Sequence, residues 1–263
     1  MTSPLVQWAG FGIAVCGVLG LLVGSFLNVL VHRLPRDESL LWPGSHCTAC
    51  GHPIHAWDNV PVLSWLILRG KCRACRAPIS VRYPAIELAN GAMWVFVAIR
   101  ARDWSELAGG ALLCSACLAL AAIDAEFQIL PDRITLPLTG AGLILSFLST
   151  VRTPASAFLG AGLGAGSLFL VAFVYERVTG QEGMGLGDVK MLGMVGAFLG
   201  PAGVLVTVLL SSVAGSIVGL ALMAAGKGDR KLRLPFGVFL AAGAVAAFFF
   251  GEGLLAKYRS FLH

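Results

Sequence analysis

Long apolar stretches separated by short charged gaps make up most of the chain. A helix rises about 1.5 Å per residue, so about 20 mainly apolar residues cross the hydrocarbon core of a bilayer. Eight apolar stretches are present, at 8–31, 84–99, 105–123, 134–151, 157–175, 189–200, 204–225 and 236–255. The pattern therefore predicts an all-α, polytopic membrane helix bundle of about eight spans.

The stretch at 189–200 is the shortest, and Gly200-Pro201 ends it. Twelve helical residues rise only about 18 Å, so a tilted or re-entrant segment is an alternative to a full span. With eight spans and the N-terminus outside, 14 of the 19 Lys and Arg residues fall in the inside gaps. Basic residues concentrate in cytoplasmic loops, and the cluster from Lys227 to Arg233 would move outside if 189–200 did not cross. The charge distribution thus favours eight spans, with both termini outside.

Composition supports a membrane protein and excludes other classes. Hydrophobic residues make up 57% of the 263 residues and charged residues 13%, against about 25% charged in soluble domains. Low charge excludes disorder, and seven cysteines in so long a chain exclude a secreted disulfide scaffold. The formal charge of +5 fits loop topology and contact with anionic lipid, and no basic-aromatic patch suggests nucleic acid as a partner.

One segment between the first two spans looks soluble. We divide the chain into a first span at 1–32, a loop at 33–83 and a membrane core at 84–263. A loop of this size cannot build a large hydrophobic core, so it needs a covalent or metal cross-link.

Two CxxC motifs in this loop offer such a cross-link. Cys47 and Cys50 form the first motif, and Cys72 and Cys75 form the second. The spacing is typical of a four-cysteine zinc ribbon, in which four thiolates complete a closed structural site. A pair of disulfides is the alternative, and a reducing cytoplasm disfavours it.

Nearby polar residues could modify this site. Three basic residues beside or within the second motif, Lys71, Arg73 and Arg76, would favour the thiolate form. Three histidines could replace a ligand, but four thiolates already fill the shell, so we interpret them as ordinary loop residues: His46, His52 and His55.

The remaining cysteines lie in apolar stretches. Cys114 and Cys117 repeat the CxxC spacing inside the third span, and Cys16 lies in the first. Small thiols pack well among helices, so we expect all three to be core residues.

Two acids at the ends of spans are the strongest catalytic candidates. Asp124 ends the third span, and Asp188 begins the sixth, so the topology puts both carboxylates at one membrane face. Two neighbouring carboxyls share a proton, and one can activate water while the other protonates a carbonyl, as in aspartyl peptidases. The alternatives are a helix N-cap for Asp188 and a solvated loop acid for Asp124.

Residues around Asp188 would support such a pair. Gly183, Gly185 and Gly187 would let an extended substrate approach and would allow backbone conformations closed to other residues. Lys190 would keep one carboxylate ionised or mark the membrane boundary. Three further acids are interpreted as edge residues that set helix ends: Glu126, Asp132 and Glu182.

At these residues the sequence resembles the type IV prepilin leader peptidases, which are also N-methyltransferases and belong to the GxGD membrane aspartyl peptidases. The resemblance covers nearly the whole chain. The segments that carry it are both CxxC motifs, Gly24-Ser-Phe-Leu-Asn28-Val-Leu-Val-His-Arg33-Leu-Pro35, Asn59-Val-Pro-Val-Leu-Ser-Trp65, Arg82-Tyr-Pro84-Ala-Ile-Glu87-Leu, Ile123-Asp124, Leu130-Pro-Asp132, Gly183-Met-Gly-Leu-Gly-Asp188-Val-Lys190 and Pro235-Phe-Gly237.

The resemblance implies a membrane enzyme of the bacterial inner membrane. Such an enzyme removes the short basic leader of prepilins and pseudopilins at the cytoplasmic face, and it methylates the new amine with S-adenosylmethionine. Carried over by position, Asp124 and Asp188 take the catalytic positions. The four loop cysteines take the zinc positions.

No pattern in the sequence identifies the binding site of the methyl donor. Glu87, about one turn into the second span, is an intramembrane acid that could face the sulfonium or the new amine. The alternative, which we favour, is a pair between Glu87 and Arg82 near the headgroups. Asn28 and Asn90 are predicted to donate hydrogen bonds between helices.

Two other functional classes compete with the peptidase. In a proton-coupled transporter the two aspartates would carry protons and the zinc loop would regulate transport. In a scaffold the loop would recruit partners and neither aspartate would matter. Both acids lie at one face, and inverted repeats are not evident, which favours the peptidase over the transporter.

Overall fold

The computed structural model describes residues 9–181, 183–226 and 234–262, and α-helices form most of these ranges. Their bounds are α1 (Ala9–Arg33), α2 (Leu63–Ile67), α3 (Arg82–Arg100), α4 (Trp104–Phe127), α5 (Asp132–Leu148), α6 (Pro154–Thr179), α7 (Leu186–Ala224) and α8 (Phe236–Leu262). The only β-type pairs in these ranges are two isolated bridges in the loop between α1 and α3. The predicted all-α class is therefore confirmed. Glu182 and the basic cluster from Lys227 to Arg233 lie outside the described residues.

Five of the helices are long and apolar enough to cross a membrane: α1, α4, α6, α7 and α8. The chain is thus a multi-pass membrane protein. The predicted count of about eight spans is not confirmed, because α3 does not reach this standard, α5 has only 17 residues, and the predicted stretches 189–200 and 204–225 both lie in α7.

A backbone break divides α7 into two helical segments. Gly200 has φ 68° and ψ −177°, and Pro201 follows it. Proline lacks the N–H that would continue the helical hydrogen bonds, and glycine tolerates the positive φ. The break falls at the predicted boundary after 200, and whether 189–200 crosses alone stays a prediction.

The chain forms two compact units, Met1–Ala101 and Arg102–His263. The first contains α1, the cysteine loop, α2 and α3. The second contains α4 to α8. The finer division at 1–32, 33–83 and 84–263 stays a prediction.

In the first unit, α1 and α3 pack closely at small residues. A Cβ on Gly24 would lie 2.7 Å from Cα of Glu87. The predicted hydrogen bonds between the helices are confirmed, because Asn28 Nδ2 donates to the carbonyl of Tyr83 (3.1 Å) and Asn90 Nδ2 donates to that of Gly20 (2.7 Å). Small residues allow the close approach, and the amides pair across it.

In the second unit, α6 and α7 approach in the same way. Cβ atoms on Gly160 and Gly164 would collide with the backbone of α7, at the carbonyls of Gly196 and Leu192. The start of α4 is fixed by Asp103, whose carboxylate caps the helix by accepting the N–H of Glu106 (2.6 Å). These contacts position α4 and α7, the helices that carry the candidate acids.

Candidate active site and metal centre

Asp124 lies in the last turn of α4 and is buried, with 5% of its surface exposed. Its Oδ2 accepts the backbone N–H of Val238 (3.1 Å), which lies in the first turn of α8. The first turn of a helix leaves N–H groups without partners, and its dipole favours an anion. The N-terminus of α8 therefore holds the Asp124 carboxylate, and the alternative of a solvated loop acid is wrong.

Asp188 lies in the first turn of α7 and is half-buried. The N-cap of this helix is Gly185, and no side chain caps it, so the N-cap alternative for Asp188 is wrong. Asp188 lies close enough to Asp124 for their carboxylates to interact electrostatically. The fold thus brings together the two acids that the sequence singled out.

Leu130 and Gly237 support the pair, and sequence reasoning gave neither of them a role. A Cβ on Gly237 would lie 2.8 Å from Asp124 Oδ2 and 3.0 Å from Leu130 Cδ2. A Cβ on Gly187 would lie 2.9 Å from Leu130 Cβ. Leu130 therefore packs against the first turns of both α7 and α8. The only sequence signals were the short motifs around these residues, Leu130-Pro-Asp132 and Pro235-Phe-Gly237.

Gly183 and Gly187, two of the glycines before Asp188, are needed for their small size rather than for unusual backbone angles. None of the three appears among the residues with positive φ, and Gly185 has φ −72°. A Cβ on Gly183 would collide with the ring of Tyr175, whereas one on Gly185 would reach only ordinary contact, 3.9 Å from Asp188 Oδ2. The expectation that they supply conformations closed to other residues is wrong.

Lys190 contacts a different acid from the one expected. Its Nζ lies 2.8 Å and 2.7 Å from the two carboxylate oxygens of Asp132, in the first turn of α5. Both side chains are solvent-accessible, at 35% and 51%. The ion pair joins the beginnings of α5 and α7, so Lys190 does not pair directly with Asp188.

The four loop cysteines form one cluster. The Sγ atoms of Cys47, Cys50, Cys72 and Cys75 all lie within 4.8 Å of one another. Four thiolates at this separation fit a tetrahedral metal ion, and they leave no open position for a substrate. The cluster is a candidate structural metal centre.

Two matching turns build the cluster. The N–H of Cys47 donates to the carbonyl of His52 (2.9 Å), and the N–H of Cys72 donates to that of Ala77 (2.8 Å). The residue after each motif has a left-handed backbone, with φ 70° at Gly51 and φ 61° at Arg76. Each motif thus turns its two thiols toward the same centre.

Backbone groups, rather than the predicted basic side chains, stabilise the thiolate of Cys47. N–H groups of Ala49 and Cys50 lower the pKa of Cys47 to about 6. Arg73 instead binds Asp58 with two hydrogen bonds (2.8 Å and 2.6 Å). This ion pair lowers the pKa of Asp58, and it fastens the second CxxC motif to the middle of the loop.

The loop histidines have other contacts. His55 stacks on Trp57, with ring centroids 4.7 Å apart, and His46 Nδ1 lies 2.9 Å from the carbonyl of Gly44. Neither belongs to the sulfur cluster. Cys114 and Cys117 are fully buried, which confirms them as core residues.

Glu87 is buried in α3, with 7% of its surface exposed. Its Oε2 accepts the backbone N–H of Val62 (2.7 Å), and the Ser25 hydroxyl also donates to the carboxylate. These partners replace the pair with Arg82 that the sequence favoured. A buried acid of α3 thus contacts the loop that carries the cysteines.

Comparison with known families covers both units. The bacterial peptidase A24 N-terminal domain matches residues 18–101, and the type IV leader peptidase family matches residues 111–220. These ranges contain the four cysteines, Glu87, Asp124 and Asp188. No solved structure matches the chain at a significant level.

Curated relatives match along almost their whole lengths. A protein of Burkholderia pseudomallei (strain 1026b), named prepilin leader peptidase/N-methyltransferase, is 42% identical over 95% of this chain and 90% of its own. Proteins with the same name from Stutzerimonas stutzeri and Pseudomonas aeruginosa are 41% and 38% identical, each over 93% of this chain and 92% of its own.

Proposed function

This chain belongs to the type IV leader peptidase family, and from that membership we propose that it cleaves the basic leader from prepilins and pseudopilins and methylates the new N-terminal amine. The relatives are named for both activities. The comparisons give no support to the transporter alternative. The single observation that carries the proposed peptidase site is that Asp124, held by the first turn of α8, lies near enough to Asp188 for the two carboxyls to interact electrostatically.

The two aspartates divide the roles of base and acid. Asp124 accepts backbone N–H donors from α8, which stabilise its ionised form, whereas no described residue donates a hydrogen bond to Asp188. In a pair that shares one proton, Asp124 is therefore the base and Asp188 the acid.

Proton transfer then follows from these assignments. Asp124 takes a proton from the water that attacks the scissile carbonyl carbon, and Asp188 protonates the carbonyl oxygen. When the C–N bond breaks, the proton held by Asp124 passes to the leaving amine, and the oxygen returns its proton to Asp188. This balance consumes one water per peptide bond and regenerates both carboxyl groups.

In this proposal the substrate reaches the two aspartates from the cytoplasmic side of the membrane. The N-terminus of the enzyme lies on the opposite side. The support is the distribution of charge, because the gaps assigned to the cytoplasm hold most Lys and Arg residues. A scissile peptide must be extended, and backbone groups near the membrane surface can leave a helix where water satisfies them.

The cysteine cluster holds zinc in this proposal. Four thiolates within 4.8 Å of one another fit the ion. Zinc in a closed four-thiolate site would supply structure and no catalysis, and it would stabilise a loop that has few buried side chains.

The experiment that tests the function is cleavage of a model prepilin by the wild-type protein in liposomes. We expect a product that begins after the leader, and with S-adenosylmethionine present we expect the added mass of one methyl group. Mass spectrometry of the product N-terminus reads both results. A folded wild type that cleaves none of several precursors would refute the peptidase and return the transporter to consideration.

Replacing Gly237 with Ala is expected to reduce cleavage strongly without unfolding the protein. The new Cβ would lie 2.8 Å from Asp124 Oδ2, so the carboxylate must move away from the N-terminus of α8. A displacement of about 1 Å at a catalytic group costs on the order of 100-fold in rate.

The matched control is Gly251→Ala, also in α8, where the nearest atom to the new Cβ is 4.0 Å away. Single-turnover cleavage rates of both variants are compared with the wild type. If Gly237→Ala cleaves as fast as the wild type, cleavage does not depend on the position of the Asp124 carboxylate against the first turn of α8.

A further inference from the structure

The contact between α1 and α3 contains buried hydrogen-bond acceptors that the peptidase chemistry does not use. Glu87 is 7% exposed and Asn28 is 3% exposed. Asn28 Nδ2 donates to the carbonyls of Gly24 (3.4 Å) and Tyr83 (3.1 Å), which fixes the orientation of the amide. Its Oδ1 is buried and has no donor among the described residues. A buried acceptor is unfavourable unless a donor reaches it.

Asn28 and Glu87 belong to the same stretch of this contact. Gly24 brings α1 against Cα of Glu87, and Ser25, the next residue, donates to the Glu87 carboxylate. Asn28 is three residues further along α1, on the face that Ser25 also occupies. Tyr83, which accepts from Asn28, lies one turn before Glu87 in α3.

A strained turn of the loop covers the Glu87 carboxylate. Val62 has φ 62° and ψ −50°, and the N–H of Leu63 donates across it to the carbonyl of Pro61 (2.6 Å). This is a γ-turn with positive φ, which is rare, and it is unfavourable for a β-branched residue. The N–H of Val62 is the group that bonds to Glu87. Backbone strain of this kind is unfavourable and concentrates at functional sites.

We propose that Glu87 and Asn28 bind the new N-terminal amine of the cleaved substrate for methylation, and that this amine takes the place of the Val62 N–H on Glu87. The proposal rests on the proposed function, because it assigns a site to its second activity. An ammonium group has three N–H donors. This contact offers it two kinds of acceptor: the Glu87 carboxylate, and the Asn28 Oδ1, which has no donor of its own among the described residues. Release of Val62 would also relieve its strained turn.

The same pair of acceptors prepares the amine for reaction. Glu87 takes one proton from the ammonium, which leaves a neutral amine, and rotation about the C–N bond turns the lone pair away from the protonated carboxyl group and towards the methyl donor. The lone pair forms the new N–C bond to the methyl group of a sulfonium donor, while the S–C bond breaks and its electrons stay on sulfur. The product is a secondary ammonium, and Glu87 passes its proton to water.

The first test measures binding without any methyl donor. Hydrogen–deuterium exchange of the 60–64 segment is followed in the full-length protein with the mature N-terminal peptide of the substrate, either with a free amine or N-acetylated. We expect the free amine to raise the exchange rate of the Val62 amide on the order of tenfold, since that amide loses its partner, and the acetylated peptide to have no effect. Equal exchange with both peptides would overturn the proposal.

The second test uses Glu87→Gln and measures the methylated fraction of cleaved product. Gln has nearly the same shape but takes no proton, so we expect this fraction to fall on the order of 100-fold. Cleavage of the same precursor reports that the variant is folded. If Glu87→Gln does not cleave, the exchange response to the free amine is measured in Asn28→Leu, where we expect it to be lost.

The matched control is Asn90→Leu, which removes another buried amide from the same α1–α3 contact. We expect it to keep both the exchange response and methylation, and an equal loss in this control would overturn the site in favour of a packing effect. A wild type that cleaves no precursor but keeps the amine-dependent exchange would refute the proposed function alone. If the wild type cleaves the precursor and Glu87→Gln methylates the product as fully as the wild type does, the proposed methylation site is refuted and the proposed function is not.

Discussion

Replacing either Asp124 or Asp188 with Asn is expected to abolish cleavage of prepilin while the protein stays folded. Asn has the size of Asp but neither takes nor holds the catalytic proton, and loss of one such group costs about 100-fold to 10,000-fold in rate. The effect should be of this size for both residues, because the two carboxyls act as a pair and either substitution removes the shared proton. Single-turnover cleavage in liposomes, with mass spectrometry of the product, is the measurement.

Asp132→Asn is the control for this experiment. Asp132 lies at the beginning of α5, and its ion pair with Lys190 is solvent-accessible. Such pairs contribute about 0 to 1 kcal/mol, so we expect nearly wild-type cleavage. If an Asp124 or Asp188 variant cleaves at the wild-type rate, that residue is not a catalytic acid. If Asp132→Asn is instead inactive, the assignment of the pair is wrong.

Replacing Cys72 with Ser is expected to remove bound metal and to unfold the loop. Cys72 is the most buried member of the cluster, with 8% of its surface exposed. Structural zinc contributes on the order of 10 kcal/mol to small four-ligand sites, and a loop of this size has little else to hold it. Metal analysis should find zinc in the wild type and almost none in the variant. Limited proteolysis should cut the variant in the loop.

Cys16→Ser tests whether any lost thiol has this effect, because Cys16 lies in α1, outside the cluster. We expect it to retain its metal and its resistance to proteolysis. Wild-type protein that contains no metal and has no free thiols at these four positions would instead support the disulfide alternative. If Cys72→Ser loses its metal but still cleaves prepilin, the metal stabilises the loop alone. If it loses both, the folded loop is needed for cleavage.

Part of the candidate site could be predicted because it depends on short segments. Each CxxC motif makes its own turn, so the spacing of Cys47 and Cys50 already implied two thiols aimed at one centre. The chemistry of Asp124 and Asp188 followed from the rarity of acids at the ends of apolar helices. Their environments did not follow, because the donor to Asp124 comes from α8 and the residue that packs against both neighbouring helices is Leu130.

Predictions of side-chain partners were the least reliable. Lys190 pairs with Asp132, Arg73 with Asp58, and Glu87 with the Val62 N–H. In each case a partner close in sequence was expected, and the structure supplies one from another segment. Sequence distance is a poor guide here, because the folding of the loop and the packing of the helices bring residues of separate segments within hydrogen-bond reach.

The sequence by itself determined the class of the protein, the helical apolar segments, the two cysteine turns and the kind of chemistry that two membrane acids can perform. These features depend on composition, on apolar length and on contacts within a few residues. Only the tertiary structure decided which helix ends meet at Asp124 and Asp188, which group covers Glu87, and that α7 continues past a break at Gly200. The physical reason is that apolar helices are similar on all sides, so the pattern of one helix does not specify its neighbour. The neighbour is selected by close packing at small residues and by the few polar groups that must find partners between helices.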